Sequence, residues 1–119
     1  MPSRELISKK MADFLSAISN PSRIRIIEEL RSEEKDVNSL MSILGISHSS
    51  VSQHLSVLRG QKAVKKRKVG NHAFYSLTQD KLSDWLLEGL DYIEGGMQSE
   101  EKIRSAVSEA REIWGHVKS

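Results

Sequence analysis

The sequence predicts a mainly α-helical fold with one small β-hairpin, in the order α-α-α-α-β-β-α-α. Apolar residues recur at helical spacing along most of the chain. The stretch from Ala63 to Leu77 is instead predicted to form two short strands around Gly70-Asn71, a pair of residues that is typical of a hairpin turn. The 119 residues contain no repeat, low-complexity tract or long linker, so we expect one domain over residues 1–119.

Composition narrows the class of protein. Aromatic residues make up only 5% of the chain, so the core must be mostly aliphatic. No apolar run approaches the ~18–20 residues that span a bilayer, and the first residues lack the apolar stretch of a signal peptide. The chain has no cysteine, which excludes disulfides, thiolate metal sites and cysteine nucleophiles. We therefore expect a cytoplasmic protein without a membrane partner, whose small core would gain from dimerisation.

A helix start signal separates the first two predicted helices. Asn20 can cap a helix, and Pro21 at the first helical position has no amide hydrogen to leave unpaired. Before this signal, a first helix over about residues 4–18 is predicted by Leu6, Ile7, Met11, Phe14, Leu15 and Ile18. After it, we expect a second helix that buries Ile24, Ile27 and Leu30, with Ile26 near the edge of the buried face.

The next two helices are joined by a short turn. Asp36 caps a third helix that ends at Gly45, and its apolar face consists of Val37, Leu40, Met41 and Leu44. Ser47 caps a fourth helix from His48 to about Arg59, which buries Val51, Leu55 and Leu58. Two helices joined by a short turn that contains glycine form a helix-turn-helix candidate over residues 36–59.

Helical spacing returns after the hairpin. A fifth helix, interrupted at Gly95-Gly96, is predicted by Leu82, Trp85, Leu86, Leu90, Ile93 and Met97. Ser99 can cap a last helix whose inward residues are Ile103, Ala106, Val107, Ala110, Ile113, Trp114 and Val117.

The polar face of the fourth helix is suited to base contacts. The major groove of DNA admits one helix, and its base edges present donors and acceptors that Gln, Ser and His can match. The predicted contacts are Ser47, His48, Ser49, Ser50, Gln53 and His54. Two alternatives stay open, namely that Ser47 serves only as a helix cap and that His54 is an orienting or satisfied surface histidine.

Charge is distributed unevenly along the chain. The 43 residues from Val37 to Gln79 contain six of the 18 Lys and Arg and no Asp or Glu. The rest of the chain contains the other 12 basic residues and all 16 acidic residues. The middle of the chain is thus +6 and the rest −4, which favours contact with a polyanion over a merely solvated lysine-rich turn. Predicted backbone contacts from the hairpin region are Arg59, Lys65, Lys66, Arg67, Lys68, Asn71 and His72.

Three segments of the chain resemble the ArsR/SmtB repressors: Asn20–Ile27, Leu44–Arg59 with its string Val51-Ser52-Gln53-His54-Leu55, and Ala73–Leu77, which matches the wing of that family. The resemblance covers about residues 10–95. It implies a winged helix-turn-helix, with residues 63–77 as the wing, that represses transcription by occupying an imperfect palindrome in an operator. It also implies a homodimer in which the first and fifth helices pair across a two-fold axis.

Residues 4–18 and 80–117 are accordingly expected to form the dimerisation helices. The expected interface residues are Leu6, Met11, Phe14, Leu15, Trp85, Leu86, Leu90, Ile93, Met97, Ile103, Val107 and Trp114.

The metal and thiol sensors of the ArsR/SmtB family have no counterpart in this sequence. Asp36 stands where the cysteine site begins, and the ligand positions of the other site fall at Gln79, Lys81, Tyr92 and Gly95. We therefore predict no metal and no cofactor; the alternative is a metal site formed by His116 and an acidic neighbour. The effector is absent or an unknown small molecule, and an apolar ligand between the first, fifth and sixth helices stays a hypothesis.

An enzyme is not predicted, since no phosphate loop, carboxylate pair, metal cluster or nucleophile–base spacing stands out. The alternative function is a winged-helix adaptor for protein interactions or an architectural protein that binds DNA without choosing an operator. One local feature is testable. Lys62 stands where related proteins usually place glycine, so it either adopts a left-handed backbone or Gly60 ends the fourth helix early.

Overall fold

The computed structural model describes the backbone of residues 2–96 and 101–118, and the side chains of residues 2–94 and 104–113. Its elements are α1 (Pro2–Ile18), α2 (Pro21–Leu30), α3 (Val37–Leu44), α4 (His48–Gly60), β1 (Val64–Val69), β2 (His72–Leu77), α5 (Lys81–Gly96) and α6 (Glu101–Lys118). The predicted order and every predicted element are confirmed. In the part of the chain that the structure describes, no helix is both long and apolar enough to cross a bilayer.

The chain forms two compact units, Met1–Gln79 and Asp80–Ser119. The first unit contains α1 to α4 and both strands, and the second contains α5 and α6. The expectation of a single domain over the whole length stays a prediction.

Local hydrogen bonds define the starts of three helices, at the residues that the sequence indicates. The Asn20 side chain accepts from the backbone N–H groups of Ser22 and Arg23, at 2.9 and 3.1 Å. Asp36 accepts from the Ser39 N–H at 2.8 Å, and Ser47 caps α4 in the same way. Each such cap stabilises its helix by about 1 kcal/mol.

The core of the first unit is aliphatic, and its composition corrects one prediction. Ile26, expected at the edge of the buried face of α2, is fully buried beside Ile27, whereas Ile24 is half-buried. With 3.6 residues per turn, Ile26, Ile27 and Leu30 share one arc of the helix and Ile24 lies at its margin. The buried residues of α3, α4 and the strands are Leu40, Val51, Leu55, Leu58, Val64, Tyr75 and Leu77.

The strands β1 and β2 form an antiparallel hairpin, the wing, whose register runs from Val64 opposite Leu77 to Val69 opposite His72. Gly70 at the tip has φ +62°, in the left-handed region that the turn requires. A further backbone pairing extends the wing on its other side. The N–H of Lys35 donates to the Tyr75 carbonyl at 3.0 Å, and the N–H of Tyr75 donates to the Lys35 carbonyl at 2.8 Å. The segment that precedes α3 therefore lies against β2.

In the second unit, an ion-pair cluster joins the two helices. Arg111 of α6 contacts the carboxylates of Asp91 and Glu94 of α5. Val107 is buried, and so is Ser83, whose hydroxyl donates to the Asp80 carbonyl at 2.9 Å. Several predicted inward or interface residues lie outside the described side chains, namely Met97, Ile103, Trp114 and Val117.

Candidate nucleic-acid interface

The first turn of α4 presents a cluster of serine hydroxyls. The Ser47 hydroxyl accepts from the Ser50 backbone N–H at 3.1 Å. It also donates to the Ser50 hydroxyl at 3.0 Å and lies 3.2 Å from that of Ser49. Ser47 therefore caps α4. Its hydroxyl also orients the hydroxyls of Ser49 and Ser50 at the exposed end of the helix. A base contact from Ser47 stays a prediction.

His48 and Gln53 extend this polar face along the helix. Both are exposed, and the Nδ1 atom of His48 lies 3.5 Å from the Ser52 hydroxyl. The Gln53 side chain carries both a carbonyl acceptor and an amide donor, the pair of groups that bidentate contact with adenine requires. Among the predicted contacts, Gln53 thus has the side-chain chemistry best matched to one base.

His54 is half-buried and bonded to another helix. Its Nδ1 lies 3.2 Å from Nη1 of Arg23 in α2, while Nε of the same arginine donates to the Ala17 carbonyl at the end of α1. Burial lowers the pKa of His54, and the nearby positive charge of Arg23 lowers it further. These contacts orient the His54 ring within the unit, and a base contact from His54 stays a prediction. Arg23 was not predicted as a functional residue, because it lies 31 positions away in sequence.

The wing exposes several lysines. Lys65, Lys66 and Lys68 are all exposed, as are Arg59 at the end of α4 and Asn71 at the hairpin tip. The ammonium of Lys66 lies 6.0 Å from the centre of the Tyr75 ring, at the limit of cation–π distance. Lys65 and Lys66 alternate in direction along the strand, so the wing offers positive charge on both faces.

Two predicted backbone contacts of the wing are already bonded to acids. Arg67 forms two hydrogen bonds with the Glu34 carboxylate, one of them at 3.2 Å from Nε to Oε2. Its guanidinium also lies 5.2 Å from the centre of the Phe74 ring. The hydrogen bond lowers the pKa of Glu34 and raises that of Arg67. Arg67 is therefore a partner of Glu34 in this structure, and its predicted phosphate contact stays a prediction.

His72 is bonded to an acid as well, and its predicted backbone contact likewise stays a prediction. Its Nε2 lies 2.7 Å from an Asp36 carboxylate oxygen, and its ring stacks on Phe74 at 4.6 Å between ring centres. The pKa of Asp36 falls to about 2, chiefly through the hydrogen bonds from the Ser39 backbone and side chain and then through that from His72. Asp36 thus caps α3 and holds the wing with the same carboxylate.

The acid-free window in the sequence is not an acid-free surface. Glu34 and Asp36 lie immediately before the window, and the pairing of Lys35 with Tyr75 brings both beside the wing. Their negative charges offset part of the positive charge that the linear count assigns to this region. Among the described cations of the wing, those without an ion pair to Glu34 or Asp36 are Lys65, Lys66 and Lys68.

The absence of a metal site stays a prediction, and the structure describes only part of the chain. Within the described residues, no three His, Asp or Glu side chains come together in a group that could hold a metal ion. The side chain of His116 lies outside the described residues.

The predicted dimer-interface residues differ in exposure. On α1, Leu6, Met11 and Leu15 are 43–55% exposed and Phe14 is half-buried. On α5, Trp85 and Ile93 are exposed, while Leu86 and Leu90 are half-buried. Val107 of α6 is only 5% exposed, so its side chain is already buried within one protomer. The whole set of interface residues, Val107 included, stays a prediction.

Two exposed apolar side chains flank the predicted interface residues but were not predicted as part of the interface. Ile7 on α1 is 64% exposed and Tyr92 on α5 is 84% exposed. Their helical spacing relative to the predicted interface residues is the sequence pattern that could have indicated them.

Comparisons with known proteins match this arrangement. Residues 20–66 match the family described as bacterial regulatory protein, arsR family. A transcriptional repressor SmtB homolog from Synechocystis is 36% identical over 73% of this chain and 66% of its own length. The nodulation protein NolR from Rhizobium meliloti is 44% identical over 58% of this chain, which spans 57% of that relative. The crystal structure of NolR from Sinorhizobium fredii superposes with a TM-score of 0.70 at 37% identity, covering 80% of this chain and 94% of that one.

Proposed function

The chain belongs to the arsR family of bacterial regulatory proteins, and from this premise we propose that it is a homodimeric transcriptional repressor of double-stranded DNA operators. One observation carries the proposal. A helix-turn-helix, α3 and α4 joined at Gly45, leads directly into a wing with exposed lysines, and α4 turns hydroxyl, amide and imidazole groups away from its aliphatic core face. This combination suits a helix in the major groove beside a wing along the phosphate backbone.

The proposed base contacts come from α4. Gln53 and His48 are exposed at its polar face, and Ser49 and Ser50 present hydroxyls oriented by Ser47. The absence of acids from this helix avoids repulsion from phosphate. Gln53 is the residue whose replacement would most directly alter base preference.

The proposed phosphate contacts come from Lys65, Lys66, Lys68 and Arg59, supported by Asn71 at the hairpin tip. Lysine acts on phosphate as a point charge, so these contacts fix the orientation of the protein and carry little sequence information. Arg67 and His72 would join them in competition with Glu34 and Asp36.

Dimerisation would present two α4 helices to half-sites about one helical turn, ~34 Å, apart, so the operator would be a palindrome. The exposed apolar residues of α1 and α5 support self-association, since a lone protomer would leave them in water. We propose action in the cytoplasm, where bacterial DNA lies, with either no effector or a small molecule that is neither a metal nor a thiol reagent. The lack of cysteine supports the exclusion of thiol chemistry.

The test is selection of bound fragments from genomic DNA, followed by affinity measurement of two variants on the selected site and on random duplex. Gln53→Ala should lose ~1–3 kcal/mol on the selected site and relax preference at one base position. Lys66→Ala should weaken binding to all sequences alike and reduce the salt slope by about one.

A uniform loss from both variants would refute this division of roles between helix and wing. Equal affinity of the wild-type protein for selected and random duplex would instead favour an architectural DNA-binding protein. No affinity for any duplex at low salt would favour a protein-interaction adaptor.

A further inference from the structure

Arg23 connects three helices of the first unit. Its backbone N–H is held by the Asn20 cap at the start of α2, its Nε donates to the Ala17 carbonyl at the end of α1, and its Nη1 lies 3.2 Å from Nδ1 of His54 in α4. A long side chain fixed at two points along its length presents its remaining nitrogens in a defined direction. His54 therefore meets a donor whose position is set by the rest of the unit.

The chemistry of this contact determines the protonation of the imidazole ring. A guanidinium has five N–H donors and no acceptor, so the Nδ1 atom that it approaches must accept the hydrogen bond and must carry no proton. A neutral imidazole then holds its single proton on Nε2. Burial and the charge of Arg23 both lower the pKa of His54, which agrees with a neutral ring.

His54 lies one helical turn beyond Ser50, because residues four apart in a helix are neighbours on the same side. Ser50 belongs to the hydroxyl cluster at the start of α4. The ring of His54 is half-buried, so it is neither enclosed in the core nor free in solvent. The ring edge opposite Nδ1 carries Nε2.

We propose that Arg23 is a positioning residue that locks His54 in the Nε2-protonated tautomer, so that His54 offers DNA a hydrogen-bond donor and no acceptor. The inference rests on the proposed function and deepens it. A group that can only donate forms hydrogen bonds with acceptors, namely purine N7, guanine O6, thymine O4 or a phosphate oxygen. It disfavours the amino groups of adenine and cytosine, which are themselves donors. Arg23 would thus influence base choice from α2 without touching the duplex.

The first experiment uses the full chain without DNA, labelled with ¹⁵N at histidine, and reads the two ring nitrogens of His54 by NMR. The expected result is an unprotonated Nδ1 and a protonated Nε2 at neutral pH. In Arg23→Met we expect a mixture of tautomers and a higher pKa of His54, because the positive charge and its donor are gone. Arg25→Met is the matched control, since Arg25 is an exposed arginine on the same helix, and it should leave both readings unchanged.

A wild-type His54 that carries its proton on Nδ1, or that is charged at neutral pH, would overturn the proposal. This reading needs no variant, so it decides the question even if Arg23→Met fails to fold. A folded Arg23→Met protein with an unchanged tautomer and pKa would also overturn it.

The second experiment measures preference for the selected DNA site over random duplex. Arg23→Met and His54→Ala should each lower this ratio roughly tenfold, the double variant should lower it no further, and the salt slope should stay the same. Additive losses would contradict action of Arg23 through His54. If the wild-type protein binds no DNA, the proposed function fails while the NMR result stands. If it is sequence-specific but His54 is protonated on Nδ1, only the present inference fails.

Discussion

Lys62 adopts a left-handed backbone with φ +60° immediately after α4, the one residue other than glycine with positive φ in the part of the chain that the structure describes. Its N–H donates to the Arg59 carbonyl, and the N–H of Ala63 reaches back to Leu58, so this conformation ends the helix. Gly60, the other candidate for the helix end, lies within α4. The strain at Lys62 is therefore local and removable.

Replacing Lys62 by glycine should stabilise the protein by about 1 kcal/mol, since glycine has no Cβ to clash in this region. Urea unfolding followed by circular dichroism measures the change. Lys62→Ala is the control for loss of the lysine side chain, and it should bring no comparable gain because alanine retains the Cβ. A Lys62→Gly protein that is less stable than Lys62→Ala would contradict the assigned strain.

Asp36 couples the stability of α3 to pH. Its pKa is about 2 in the folded protein against an ordinary value of 3.8, so the folded state favours the carboxylate. A lowered pKa contributes stability above about pH 4, and that contribution disappears as the pH falls towards 2. Asp36→Ala should cost about 1 kcal/mol at neutral pH through loss of the cap.

Asp36→Asn separates the charge from the cap, because asparagine keeps the acceptor oxygen but does not titrate. The wild-type protein should be more stable than Asp36→Asn at pH 5, and the two should converge near pH 2. Unfolding by urea at a series of pH values makes the comparison. A difference that stays constant over this range would show that the charge of Asp36 contributes nothing to folding.

The wing is held by two acids, Glu34 and Asp36, that would compete with a phosphate for its cations. In Glu34→Gln the bidentate pair with Arg67 is lost, which frees a guanidinium for a phosphate. We expect tighter binding to random duplex at low salt and a salt slope that is steeper by about one. Titrations with labelled duplex at several salt concentrations provide the measurement.

Glu33→Gln is the matched control for this change in net charge. Glu33 is 75% exposed and its carboxylate lies 3.9 Å from the Lys35 ammonium, away from Arg67. It should leave the slope nearly unchanged. An equal effect from both variants would mean that net charge alone, and not the release of Arg67, determines affinity.

The helix ends could be predicted from sequence because their causes are local. Asn20, Asp36 and Ser47 each bond a backbone N–H two or three positions later, within the reach of pattern recognition. The contacts of Arg23 with His54 and of Glu34 with Arg67 join residues 31 and 33 positions apart. Their formation depends on how helices pack and on which strand lies beside which segment, and a single sequence does not encode that in any local pattern.

At the level of the whole molecule, the exposed apolar side of α1 predicts self-association. Met11→Glu places a charge among Leu6, Ile7 and Leu15, and burying that charge in an interface would be costly. We expect a monomer in analytical ultracentrifugation and weaker binding to a palindromic site, since two linked half-sites would be reduced to one. Lys9→Glu, a charge change at another exposed position of α1, is the control. A dimeric Met11→Glu protein would place the interface elsewhere.

The two backbone hydrogen bonds between Lys35 and Tyr75 have a consequence for the thermodynamics of recognition. A hairpin attached only through its ends would lose conformational entropy on meeting a duplex, and that loss would weaken the complex. A hairpin tethered along one edge is preorganised, and most of its ordering occurs when the chain folds. The amide of Tyr75 should accordingly exchange with deuterium as slowly before DNA is added as afterwards.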